Sequence, residues 1–205
     1  MYLVTSPKRP VSRLLAIAQA ALEGGASIVQ FRDKGVYTPD ERSEAALGVR
    51  KACHRAAVPF LVNDDPELAR RFRADGVHLG RQDPPPTVAR LFLGPDAIVG
   101  VTVYGQPGEE EAAANAGADY LAAGPFFPSP TKPEEPVLPI SILDAIIQRS
   151  RLPVFAIGGI TAETAGLIAR HGAAGVAVVS AIMDAENPKA ATADILREFE
   201  AGKQG

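Results

Sequence analysis

The chain is 205 residues long, 46% hydrophobic and 22% charged, with a mean hydropathy of +0.04; this is the composition of a folded domain and excludes bulk disorder. Its 21 Lys and Arg against 24 Asp and Glu leave a net charge of −3, which lacks the basic excess that a nucleic-acid backbone demands of its partner. A single cysteine, Cys53, excludes an internal disulfide and reads as a packed thiol, three histidines make no zinc-spaced cluster, and neither MYLVTSPKRP at the amino terminus nor the Gly/Ala-rich stretch 172–183 reads as a leader or a membrane span. A cytoplasmic protein with small-molecule partners, no nucleic acid and no membrane is expected, and the composition leaves room for a homo-oligomer.

In chain order, eight short apolar runs succeed one another, at 2–4, 27–31, 59–62, 76–79, 97–101, 119–122, 153–157 and 175–179. Between them lie Ala/Leu/Arg-rich segments with helical periodicity, at 11–23, 39–57, 108–116, 140–150, 161–171 and 188–201. Gly24-Gly25, Gly117 and Gly172 each follow such a segment and precede a small residue and a strand, where a left-handed helix cap is expected. The repeated joint and the strand–helix rhythm predict a parallel sheet with crossover helices. Eight units at this length fit one (β/α)8 TIM-barrel domain over residues 1–205. An open doubly wound sheet is the rival, but residues 5–9 after the first run carry no glycine fingerprint for a dinucleotide.

A barrel of this kind places its chemistry just after each strand, and the polar residues follow that rule. Gln30, Arg32 and Lys34 alternate with Phe31 and Asp33, so the first three share one side of an extended chain. Asp65 before Pro66 reads as a helix N-cap, which leaves Asn63 and Asp64 to point into the barrel mouth. With Asp83 after the fourth run, Asp64 forms a carboxylate pair of the kind that holds Mg²⁺ when substrate phosphate and water complete the shell. The charges balance: a diphosphate ester with two aspartates brings about five negative charges, and Mg²⁺ with Arg32, Lys34 and Lys132 about five positive ones.

Residues 124–139 contain six prolines and are too long for an ordinary strand–helix connection. A stiffened loop carrying Lys132 over the site would account for that length; an insertion without function is the alternative. Gly158-Gly159 after the seventh run and Val179-Ser180 after the eighth match the phosphate site usual for this fold, where backbone amides receive the anion. His54 and His171 sit on helical segments and read as structural. His78, within the fourth run, is assigned no catalytic role.

Taken together, Gln30-Phe31-Arg32-Asp33-Lys34, Asn63-Asp64-Asp65, the stretch 74–80 with Asp83, Gly124-Pro125 followed by Ser129-Pro130-Thr131-Lys132, Gly158-Gly159-Ile160 and Val179-Ser180-Ala181-Ile182 resemble the thiamine phosphate synthase family over nearly the whole chain. That family couples a hydroxymethylpyrimidine diphosphate to a thiazole phosphate and releases pyrophosphate. The resemblance implies that Gln30, Phe31, Arg32, Asp33, Lys34, Asn63, Thr102 and Lys132 contact the pyrimidine diphosphate. It also implies that Ser129, Pro130, Thr131, Gly159, Val179 and Ser180 hold the thiazole phosphate, and that Asp64 and Asp83 bind Mg²⁺. Lys132, Arg32 and Lys34 are the catalytic candidates. Thr102 stands where serine is common in the family, Ser129 where threonine is common, and Arg81 where glutamine is common.

Two rivals share the fold. A thiazole tautomerase commonly lacks the metal aspartates and carries a catalytic histidine after the sixth strand, where this chain has Pro125 and no histidine between His78 and His171. A non-catalytic phosphate-ligand sensor would have no need of Asp64, Asp83 and three cations.

Overall fold

The strand–helix rhythm closes on itself. A computed structural model describes residues 1–131 and 133–204. Its elements run β1 (Tyr2–Val4), α1 (Val11–Glu23), β2 (Ile28–Phe31), α2 (Pro39–Arg55), β3 (Phe60–Asn63), α3 (Pro66–Arg71), β4 (Gly76–Leu79), α4 (Pro86–Leu93), β5 (Ile98–Val103), α5 (Glu109–Asn115), β6 (Tyr120–Ala123), α6 (Ile140–Arg149), β7 (Val154–Ile157), α7 (Ala162–Arg170), β8 (Gly175–Val178), α8 (Ser180–Met183) and α9 (Pro188–Gly202). All eight strands are parallel and hydrogen-bonded in sequence order, and β8 pairs back onto β1, with Leu3 opposite both Val29 and Val178. The result is the expected (β/α)8 barrel.

Local chemistry sets the element boundaries. Thr38 and Glu41 form a reciprocal capping box at α2, with Pro39 in the first helical position, and Asp65 accepts the Leu68 amide at 2.9 Å to start α3. The helix-to-strand joint recurs as expected, with Gly25, Gly117 and Gly172 in the left-handed region while Gly24 stays right-handed. Ala26 and Ala118 then donate back to Ala21 and Ala113, the six-to-one bond of a Schellman cap. The same bond closes α2 and α3, from Val58 to Cys53 and from Ala74 to Ala69, but there Ala57 and Arg73 take the left-handed position without a glycine.

Alternation along each strand divides the core in two. Tyr2, Val4, Leu61, Tyr120 and Ala177 face the barrel interior, whereas Leu3, Val29, Phe31, Val62 and Leu121 face the helices. The last helix, α9, packs on α7 and α1 and buries Ile195 and Phe199. No helix among the described residues is long and apolar enough to cross a membrane.

Candidate active site

The carboxyl-terminal ends of the strands surround a cavity of about 670 Å³. Gln30, Arg32, Lys34, Asn63, Asp64, Asp83, Thr102, Ser129, Thr131, Gly159, Val179 and Ser180 all line it. Residues scattered across 150 positions of sequence are thus brought to one chamber by barrel closure.

One wall is ionic. Lys34 reaches Asp64 at 2.5 Å, and Arg32 lies close enough to sense the same carboxylate, although burial lowers the guanidinium's pKa. Asp64 adopts a left-handed backbone, φ 68°, and its amide donates to the His78 carbonyl at 2.7 Å. A non-glycine residue there costs of order 1–3 kcal/mol, the kind of strain that concentrates at functional sites. Asp83 is pinned by the Gly80 amide at 2.6 Å. Burial raises its carboxyl above the usual range, and the neighbouring Asp64 carboxylate pushes in the same direction.

The facing wall is made of backbone. Gly158 and Gly159 are both left-handed, at φ 95° and 64°, and a methyl on Gly159 would overlap the Phe127 and Pro128 carbonyls. The long loop is therefore seated on this glycine pair. Phe126 and Phe127 extend the end of β7 by donating to the Ile157 and Gly158 carbonyls, and the Leu138 amide closes the loop base on the Pro125 carbonyl at 2.7 Å. Ser180 opens α8 beside them.

Some expected residues do not meet the cavity. Phe31 is buried against the helices, and the Asp33 carboxylate turns away to accept the Tyr37 amide at 2.9 Å and to pair with Arg42 at 2.5 Å. Pro130 is absent from the lining, and Lys132 lies outside the described residues.

The match to known proteins now has a place to sit. The family model described as thiamine monophosphate synthase matches residues 1–182. The chain belongs to this family. A thiamine-phosphate synthase from Thiobacillus denitrificans is 42% identical over 201 residues, covering 98% of this chain and 95% of that relative. One from Synechocystis is 43% identical over 199 residues, 97% of this chain but only 57% of the relative, so the chain spans little more than half of that longer protein. Among solved structures, a thiamine phosphate pyrophosphorylase from Pyrococcus furiosus superposes with a TM-score of 0.85 at 33% identity, covering 98% of this chain and 96% of that one.

The acidic pair fits a hard divalent cation. Among the described residues no cluster of three or more His, Cys, Asp and Glu side chains forms a ready-made cage. Two carboxylates in mutual repulsion, with Lys34 as the counter-charge, would supply the protein's share of a shell that phosphate and water oxygens could complete.

Two groups at the cavity have partners that the sequence did not reveal. Arg81 stacks over the Tyr104 ring at 4.3 Å and pairs with Glu109 at 3.2 Å, while Glu109 also receives the Tyr104 and Gln106 amides. This ties the loop carrying Asp83 to the loop after β5. Deeper down, Tyr2, His78 and Tyr120 form a polar cluster inside the barrel. Polar residues at inward strand positions were the available signal; their partners, up to 118 residues away in sequence, were not. Cys53 is fully buried, and burial pushes its thiol up to about 12, so it is inert packing as expected.

Proposed function

We propose that the two walls hold two substrates for one substitution: a hydroxymethylpyrimidine diphosphate against Gln30, Arg32, Lys34, Asn63 and Thr102, and a thiazole phosphate against Ser129, Thr131, Gly159, Val179 and Ser180. Family membership supports thiamine-phosphate synthesis as the reaction. The bond from the pyrimidine methylene carbon to the diphosphate oxygen breaks, and the thiazole ring nitrogen forms the new C–N bond with its lone pair. Pyrophosphate leaves with the electrons of the old C–O bond.

Mg²⁺ held by Asp64 and Asp83 would neutralise the diphosphate oxygens. The side chains act on charge and position. If the C–O bond breaks ahead of attack, negative charge grows on the leaving oxygen, and Arg32 and Lys34 stabilise it more in the transition state than in the bound substrate. Lys132 is assigned the same role. Gly159 and Ser180 fix the thiazole phosphate, so that the nitrogen meets the methylene carbon as a bound neighbour and not by diffusion. We also assign the chain to the cytoplasm, where a lone buried thiol such as Cys53 stays reduced.

The observation that carries this reading is the division of one cavity into a wall with paired carboxylates and cations and a wall with a glycine pair and a serine. Pyrophosphate release from the paired substrates, with and without Mg²⁺, tests it. Release should require both substrates and the metal, and Asp64→Asn or Asp83→Asn should lower kcat on the order of 10²-fold or more, as when one transition-state contact is lost. Full activity of both variants in chelator would remove the metal from the reaction.

A further inference from the structure

Five side chains from five different strands form one hydrogen-bonded chain across the cavity floor. The Gln30 amide nitrogen meets the Tyr2 hydroxyl at 2.5 Å, Tyr2 meets the Tyr120 hydroxyl at 2.8 Å, Tyr120 meets His78 Nδ1 at 2.9 Å, and His78 Nε2 meets Thr102 Oγ1 at 2.9 Å. The three middle members are buried, and glycine at position 100 leaves the space that the Tyr120 ring fills, since a methyl there would overlap it. Only the two ends, Gln30 and Thr102, are residues assigned to the pyrimidine.

The chain has a direction, and Gln30 sets it. An amide nitrogen can only donate, so the Tyr2 oxygen accepts and turns its own proton to Tyr120. Tyr120 in turn donates to His78 Nδ1. That nitrogen accepts only when the ring proton sits on Nε2, and Nε2–H then donates to Thr102. A ring that accepts at Nδ1 and donates at Nε2 is neutral. The ends are left with complementary capacities: the Gln30 carbonyl oxygen is free to accept, and the Thr102 hydroxyl is free to donate.

We propose that Tyr2, Tyr120 and His78 are positioning residues that fix this polarity, so that the floor selects a pyrimidine bearing an exocyclic amine and a ring nitrogen over its oxo counterpart. An amine donates to Gln30 and a ring nitrogen accepts from Thr102. The oxo compound presents an acceptor and an N–H in their place and is mismatched at both ends unless every proton in the chain reverses. This rests on the substrate assignment above, but the tautomer at its centre does not. Sites built to match donors and acceptors reject the wrong partner strongly because a buried polar group is left unpaired.

The test begins with the unsubstituted protein. Long-range proton–nitrogen spectra of isotope-labelled histidine, with signals assigned by subtracting the outlying His54→Gln and His171→Gln variants, should show His78 as a single neutral Nε2–H tautomer. An Nδ1–H tautomer would overturn the proposal whatever the enzyme's activity. Tyr120→Phe, which removes one hydroxyl, should then lower the preference for the amino over the oxo pyrimidine diphosphate by roughly tenfold to a hundredfold. The change should appear in KM for that substrate and not for the thiazole phosphate. Unchanged discrimination would also overturn the relay. If the pyrimidine diphosphate failed to bind the unsubstituted protein while the tautomer stood, it is the substrate assignment that would fall.

Discussion

Asp83 carries a carboxyl that the fold holds above its ordinary value of 3.8, through burial first and through Asp64 second, against the opposing Gly80 amide. The sign of its effect on stability follows by linkage. A carboxyl whose pKa rises on folding is most favourable when protonated, so its contribution is present below the unfolded value and is lost as pH rises through the folded one. Asp83→Asn should therefore raise the Tm of the metal-free protein at neutral pH, with the gain shrinking as the pH falls through the raised folded value and gone below 3.8. Added Mg²⁺ should favour the aspartate instead. A lower Tm for the variant in chelator at neutral pH would contradict this account. On the opposite wall, Ser180→Ala should raise KM for the thiazole phosphate about tenfold, the size of one hydrogen bond to a charged group, and leave KM for the pyrimidine diphosphate in place. Steady-state kinetics with each substrate varied in turn will separate the two. At this scale the sequence was readable where alternation governs: Arg32 reaches the cavity on the same side of the chain as Gln30, and Phe31 does not, whereas Lys34 reaches it from a left-handed turn, φ 53°, beyond the end of β2, and not from an extended chain. Asp33 was grouped with them by its place in the motif, yet its carboxylate serves Tyr37 and Arg42. The relay residues were out of reach because Tyr2 and Tyr120 become neighbours only when the sheet closes.

Elements obey simpler rules, and most were legible. The joints at Gly25, Gly117 and Gly172 announce left-handed caps because glycine adopts them at no steric cost. Those at Ala57 and Arg73 give no such signal, since the strain there is carried by the bonds that surround it. The end of β5 was placed two residues early, at 101 and not Val103, so Thr102 lies within the strand. Close approach between strands matters more than propensity at Gly100, which lies opposite Tyr120 in the register of β5 and β6. Gly100→Ala would drive a methyl into that ring. It should destabilise the protein by about 1–3 kcal/mol, as overpacked cores do, measurable by denaturant unfolding. Equal stability of the variant would mean that the Tyr120 ring can move aside freely.

The whole molecule depends on a helix that the family model does not reach. That model ends at residue 182, yet α9 lies beyond it and covers the seam where β8 meets β1, inserting Ile195 and Phe199 beside α7 and α1. Gly202 rests directly on Gly166, where any side chain would meet the Gly166 carbonyl. Phe199→Ala should cost about 3–5 kcal/mol while leaving both KM values unchanged, because the cavity lies at the other end of the strands; calorimetry and kinetics on one preparation will show whether the effects separate. Closure has one more consequence, for covalent connectivity. The Met1 amino group lies within the field of Lys203 and Glu200, so residues 1 and 203 are neighbours, and a ring of eight like units has no privileged first member. A circularly permuted chain, with residue 203 spliced to Met1 through a short linker and new ends opened between Pro95 and Asp96 in the turn before β5, should fold to the same barrel and turn over both substrates with unaltered KM, because the order in which the units leave the ribosome is not what holds them together.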